Sequence, residues 1–166
     1  MGKDRKSSSG KGAGKKTGAP TIFNRKARHD YHILESLEAG IALTGAEVKS
    51  VRDGKISFKD AHARIKNDEA WLVGAHITPY KNQNSFDPYN PLRDRKLLLH
   101  KKQIKKLSAS IHEKGLTLIP LKLYFKRGLA KIEMGLGKGK KLYDKRYDLK
   151  KKETEREIDR ALKGRD

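Results

Sequence analysis

Cysteine is absent from this chain of 166 residues. That excludes a disulfide framework, a thiol nucleophile and a cysteine-ligated zinc site. Long apolar runs are missing as well: no stretch of about 18 apolar residues occurs, so no membrane span is expected. The first residues have no apolar h-region, so no secretory signal is expected. Hydrophobic residues make up only 35% of the chain, outweighed by 36% charged residues, where about a quarter charged is usual. Part of such a chain must stay solvated rather than join a core. What the sequence has in excess is positive charge, 40 Lys and Arg against 20 Asp and Glu for a net +20, and a pI near 10.1. The composition points to a soluble, cytoplasmic protein that binds a polyanion.

The charge is spread unevenly in kind rather than amount. Residues 1–20 hold six basic residues and one acidic in a Gly/Ser/Lys-rich context and are expected to be a disordered basic arm. Residues 137–166 hold twelve basic and seven acidic residues with almost nothing to bury, and form a basic C-terminal tail. Between them, residues 21–136 carry net +10 together with nearly all the Val, Ile, Leu and Phe and the single Trp. That block has the size of one domain. A cationic domain with two cationic tails repels itself until phosphates neutralise it and counterions are released, which favours nucleic acid as the partner.

Two helices are legible inside the block. Thr44-Gly-Ala-Glu47 has the capping-box spacing, Val48 and Val51 follow at helical intervals, and Gly54 is a natural stop. Between Lys101 and Lys114, Ile104, Leu107 and Ile111 make one apolar stripe before Gly115, and this helix is expected to cover an open end of a sheet. The remainder reads as strands: Ile33, Leu34 and Leu37 mark a first one. Ala61–Ile65 and Ala70–Ile77 flank a polar turn at 66–69, Arg95–His100 holds a short apolar run, and Leu116–Phe125 and Leu129–Leu136 flank Lys126-Arg-Gly128. Pro120 argues for an edge or a bulge. Asn82–Pro91 reads as a surface loop. The expected fold is mainly β, a small antiparallel OB-type β-barrel with two or three helices and disordered basic N- and C-terminal tails.

Catalytic machinery is not visible. The run Gly135-Leu-Gly137-Lys-Gly139-Lys-Lys is phosphate-friendly in composition but fits neither G-x-x-x-x-G-K-[ST] nor G-x-G-x-x-G. His29 and His32 are the only close histidine pair and lack further ligands at zinc-finger spacing. No enzyme activity, cofactor or metal is expected.

Specific words in the chain carry a resemblance. In order, they are Asn24-Arg-Lys-Ala-Arg28, Leu37-Glu-Ala-Gly40, Leu43-Thr-Gly-Ala-Glu-Val-Lys-Ser50, Ile77-Thr-Pro-Tyr80, Asp94-Arg-Lys-Leu-Leu-Leu-His100, Pro120-Leu-Lys-Leu-Tyr124 and Gly137-Lys-Gly-Lys-Lys-Leu-Tyr-Asp-Lys-Arg146. From about residue 21 to the C-terminus the chain resembles SmpB, the SsrA-binding protein family of bacteria. The resemblance implies an OB-type barrel with a tail that is unstructured when free and helical on the ribosome. It also implies binding to the tRNA-like domain of transfer-messenger RNA (SsrA RNA) and delivery of that RNA to stalled ribosomes for trans-translation, which is peptide tagging and ribosome rescue. The implied partners are that RNA, the 30S decoding region and the 50S subunit, and indirectly elongation factor Tu and alanyl-tRNA synthetase. No membrane contact is implied, and a monomer is expected.

Residue by residue, the resemblance carries RNA binding to Glu38, Leu98 and His100. Glu38 is unusual at an anion site; its carboxylate could accept from base or ribose donors, orient a nearby cation, or serve only as a structural ion pair. A leucine such as Leu98 is more often core. If Leu97 and Leu99 face inward, Leu98 and His100 form an outward patch suited to stacking on bases, because strand side chains alternate. His stands at a position where the family often has Asn. Asn24, Arg25, Lys26 and Arg28 at the entry to the barrel, with Lys131, Lys138, Lys140 and Lys141 on and after the last strand, are expected to make one phosphate cluster. Wound as a helix, the tail brings Lys145, Lys152, Arg156, Arg160 and Lys163 within about 80° of one another, interrupted by Leu149. The family reading places that tail in the decoding region and the empty messenger channel. Asp144-Lys145-Arg146 matches the family's tail motif, with Tyr143 where His is frequent. Two rival readings remain at this stage: a permanent ribosomal protein, and a nucleic-acid-modifying enzyme.

Overall fold

The computed structural model describes residues 18–81 and 88–163. The arm at 1–17 and most of the loop expected at 82–91 lie outside the described residues. The elements are β1 (Ile22–Phe23), α1 (Ala27–Asp30), β2 (Tyr31–Ile41), α2 (Gly45–Arg52), β3 (Ile56–Ser57), β4 (His62–Lys66), β5 (Glu69–Val73), β6 (His76–Ile77), β7 (Arg95–Leu98), α3 (Lys101–Lys114), β8 (Thr117–Lys126), β9 (Leu129–Gly139) and α4 (Leu142–Lys163). The chain is mainly β, as expected, with four helices where two or three were anticipated.

All strand pairs are antiparallel, and the pairings return on themselves: β8–β4–β5–β7–β2–β9 and back to β8. β1 pairs with the later part of β8, at Lys122 and Leu123, and β3 pairs with β6 separately. Two-residue turns set the register. Asn67 and Asp68 take φ of 52° and 56° between β4 and β5, and Arg127 and Gly128 take 51° and 77° between β8 and β9, the conformation whose twist matches a hairpin. Pro120 sits at a register shift between β8 and β9, so the expected bulge is present. A second shift, between Ile33 and Glu35, leaves Leu34 turned to solvent.

The alternation of side chains puts Ala39, Ile41, Ala63, Ala70, Leu72, Leu97, Leu118, Leu123, Ile132, Met134 and Leu136 in one core. α2 contributes Val51 and α3 contributes Leu107, with Ile111 packed against them. Both helices start and stop where their sequences indicate. The Thr44 side chain accepts from the Glu47 amide while the Glu47 carboxylate accepts from the Thr44 amide at 2.9 Å. Gly115 ends α3 in the left-handed region.

Glu47 does more than cap. It is fully buried with Arg95, whose Nε donates to Oε1 at 2.9 Å, and Arg93 Nε donates to the same oxygen at 2.8 Å. Arg95 also donates to the carbonyls of Ala75, Pro91 and Arg93. Burial pushes the Glu47 carboxyl up, but Arg93, the Thr44 amide and Arg95 together hold it below its ordinary value. This network ties α2 to β7 and to the segment before it.

Two expectations change. β9 continues to Gly139, past the domain end expected at 136, because it keeps its pairing with β2 as far as Tyr31. The glycine run that fits neither phosphate-loop pattern lies within this strand: a Cβ on Gly137 would stand 2.5 Å from the His32 carbonyl oxygen, so the two backbones could not approach as they do. The segment expected to lack structure in the free chain is the 22-residue helix α4. Its first turns are held to the body. Lys140 Nζ pairs with Asp148 at 2.5 Å and donates to the Arg28 carbonyl at 3.0 Å, Lys145 Nζ pairs with Asp30 at 3.0 Å, and the Asp144 carboxylate accepts from the Lys141 amide. Every residue of α4 from Leu149 to Lys163 is exposed.

Candidate nucleic-acid interface

The parity argument for Leu97 and Leu98 holds: Leu97 is 1% exposed and Leu98 57%. Across the outer face, Leu98 on β7 stands opposite Gly40 on β2, Gly40 opposite Lys131 on β9, and Lys131 opposite Tyr124 on β8. One outward row therefore crosses four strands. A Cβ on Gly40 would come within 3.1–3.2 Å of the Leu98 side chain, so this glycine leaves Leu98 room to lie across the row. Glu38, Leu98, His100 and Lys131 line one open groove of about 560 Å³, together with Lys96 and Lys101. His100 is exposed and caps the start of α3, its amide donating to the Gln103 side chain at 3.0 Å.

Glu38 is a hub of ion pairs on this face. The Tyr124 hydroxyl donates to Oε2, Lys131 Nζ lies 3.7 Å from Oε1 and Lys126 Nζ 3.9 Å from Oε2. The Tyr124 hydrogen bond, aided by the two lysines, holds the Glu38 carboxyl below its ordinary value. The same bond pushes the Tyr124 phenol up to about 12. Of the roles open to Glu38, this geometry favours orienting cations and a tyrosine. Tyr124 and Lys126 belong to the site although they were not singled out from the sequence. Tyr124 ends the Pro120–Tyr124 word and shares outward parity with Lys122, the only signal that was available.

The expected phosphate cluster divides in two. Lys131 and Lys138 are seven residues apart on one extended strand, about 23 Å, so Lys131 joins Glu38 and Leu98 while Lys138 lies at the other end, opposite His32. There, Lys138 and Lys141 are exposed beside α1, with Arg25, Lys26 and Arg28 exposed around its start. Lys140 is engaged internally; its side chain is 9% exposed. Asn24 is also committed to structure: its side-chain amide donates to the Pro120 carbonyl at 2.9 Å and pins β1 to β8. Lys145 is the one member of the predicted tail stripe that docks α4. Lys152, Arg156, Arg160 and Lys163 are exposed on the projecting part. Tyr143 and Tyr147 are exposed with Arg146, Leu149 and Lys150 along the first turns. Hydrogen bonding from His29 and Lys145 holds the Asp30 carboxyl below its ordinary value, and Lys140 does the same for Asp148. Among the described residues no group of His, Cys, Asp and Glu is arranged to hold a metal ion, and no helix is long and apolar enough to cross a membrane.

The family model described as SmpB protein matches residues 21–164. A protein named SsrA-binding protein from Acetivibrio thermocellus is 59% identical over 84% of this chain and 90% of its own length. Its namesake from Carboxydothermus hydrogenoformans is 58% identical over 86% of this chain and 95% of its own. A solved structure described as "tmRNA-SmpB: a journey to the center of the bacterial ribosome" aligns with a TM-score of 0.63 at 51% identity, covering 75% of this chain and 87% of that one.

Proposed function

The chain belongs to the SmpB protein family, and on that premise we propose that it is an RNA-binding adaptor of trans-translation. It binds the tRNA-like domain of transfer-messenger RNA and brings that RNA to stalled ribosomes, where the incomplete peptide is tagged and the ribosome freed. The reading is supported by relatives named for SsrA binding and by a structural neighbour described with transfer-messenger RNA and the ribosome. The single observation that carries it to particular residues is the groove uniting Glu38, Leu98, His100 and Lys131 on one outer face.

The closed ring of strands is an OB-type barrel in this reading, and residues 21–139 are the RNA-binding domain. Leu98 and His100 offer apolar and imidazole surface to exposed bases, while Lys131 and Lys126, steered by Glu38, meet phosphates. Arg25, Lys26, Arg28, Lys138 and Lys141 form a second phosphate contact at the far end of β9. The exposed cations of α4, Lys152, Arg156, Arg160 and Lys163, with Tyr143, Asp144 and Arg146 at its start, enter the decoding region and messenger channel. Elongation factor Tu and alanyl-tRNA synthetase act on the same RNA without a site of their own here. The protein has no catalytic role and works as a cytoplasmic monomer.

Binding of the isolated tRNA-like domain, an ordinary tRNA and a plain RNA duplex, measured across salt concentrations, tests this directly. The tRNA-like domain should bind tightest at every salt, and Leu98→Ala and His100→Ala should narrow the margin. Equal binding to all three would leave only a nonspecific polycation.

A further inference from the structure

Trp71 is the only tryptophan of the chain, and it does not join the core. On β5 its neighbours Ala70 and Leu72 are fully buried, so Trp71 faces outward, half-buried. Its cross-strand partners are Arg64 on β4 and Lys96 on β7. An outward row Arg64–Trp71–Lys96 results, cation, indole, cation, with the Lys96 ammonium 6.0 Å from the ring centre. The indole lines a separate groove of about 320 Å³ together with Arg64, Lys66, Glu69 and Asp94. Lys96 lies one outward step along β7 from Leu98, about 7 Å, and Glu69 lines both this groove and the Leu98 groove.

We propose that this groove is a second binding subsite, which takes one unpaired base of the RNA whose neighbouring nucleotides occupy the Leu98 groove. The inference rests on the RNA-binding reading above and extends it to residues that neither motif nor resemblance singled out. A π-face set between cations suits a base whose phosphates need neutralising, since base–aromatic stacking tolerates any sequence and the lining cations Arg64 and Lys66 hold the backbone. The carboxylates of Glu69 and Asp94 can accept from the exocyclic amine or ring N–H of a base edge, which a site for phosphate alone would not need. Lys96 already neutralises Glu69 through an ion pair, so the groove admits an anionic polymer. Continuity along β7 explains why an RNA strand seated at Leu98 would reach Trp71 without a break.

Because the chain has one tryptophan, its fluorescence reports on this groove alone. The full-length protein is titrated with the tRNA-like domain of transfer-messenger RNA while anisotropy of an end-labelled copy of the same RNA follows binding independently. Indole emission should be quenched in step with the anisotropy rise. Trp71→Phe should keep most of the affinity, because a ring remains to stack on, and Trp71→Ala should lose roughly tenfold. Circular dichroism checks that both variants are folded, and the quenching titration of the parent keeps the test decisive if Trp71→Ala is not. A rise in anisotropy with unchanged emission, or equal affinities for folded Trp71→Ala and the parent, would overturn the subsite and leave the function intact. No rise in anisotropy at all would overturn the functional reading itself. Quenching by an unrelated duplex RNA to the same extent would also count against an unpaired base.

Discussion

The β-body and helix α4 are both rich in cations but are stabilised by opposite means. In the body, apolar side chains from seven strands fill one core, and its most buried charges, Glu47 and Arg95, satisfy each other while Arg95 also satisfies several backbone carbonyls. α4 has no buried residue; it is anchored by Lys140–Asp148, Lys145–Asp30 and the weaker His32–Asp144 contact at 3.8 Å, all near its start. Ion pairs open to solvent on at least one side contribute modestly and are screened by salt, whereas the core is indifferent to salt at that level. The body is therefore a fixed platform, and α4 is a segment whose position ionic surroundings can reset. That division fits the proposed role, in which the body holds one RNA while α4 enters an anionic channel.

The contrast is broken most severely from within the body. Glu47→Ala leaves Arg95 buried without its partner and should cost about 3–5 kcal/mol, read as a lower urea midpoint; a loss no larger than that of a surface substitution would mean the network is not a stabilising hub. Neighbouring leucines sharpen the inside–outside distinction. Leu97→Ala should cost about 2–5 kcal/mol, while Leu98→Ala should stay within about 0.5 kcal/mol yet weaken RNA binding. Comparable destabilisation by both would contradict the register of β7.

On the α4 side, acid and salt should act before the body responds. Asp30 and Asp148 have carboxyls below their ordinary value of 3.8, so their anchoring is fully present above that pH and is lost as pH falls below it. Amide exchange in residues 142–149 should accelerate there, and at molar salt, while β8 and β9 stay protected. Unchanged exchange would show that something other than charge holds the helix. A smaller effect separates two lysines. Lys138, exposed and without an ion pair among the described residues, should lower the salt slope of RNA binding by somewhat under about one when replaced by Ala; Lys140→Ala should leave the slope nearly alone but speed exchange at the start of α4. The slightest change is spectroscopic. Tyr124, raised to about 12 by Glu38, should titrate well above the ordinary value of 10.0 in ultraviolet difference spectra, and Glu38→Gln should bring it back towards that value. The stabilisation from that bond is present below the ordinary value and disappears as pH rises through 12.

Local chemistry was the most legible part of the chain. Thr44–Glu47, the stripe ending at Gly115 and the turn residues at 67–68 and 127–128 act through neighbours in sequence, and each fell where its pattern put it. Parity along Arg95–His100 correctly turned Leu98 outward. Long-range consequences were hidden. Nothing local in Glu47 announces Arg93 and Arg95, which arrive from 46 and 48 residues away. Lys140 looked like any cation of a basic run, because its partners Arg28 and Asp148 meet only once β9 has returned beside α1. The glycines of β9 had no assigned role for the same reason, since the carbonyl of His32 that excludes a side chain at Gly137 is invisible in one dimension. The family words supplied Glu38, Leu98 and His100, but only the fold brings Tyr124 and Lys126 to Glu38.

The separation of platform from projecting helix is tested most directly by a chain ending at Lys141, which keeps β9 whole. Its affinity for the tRNA-like domain and its support of peptide tagging on stalled ribosomes are measured side by side with the full chain. Near-complete binding with tagging abolished is the predicted result. A fall in affinity that parallels the loss of tagging would make α4 part of the RNA-gripping surface and contradict the division.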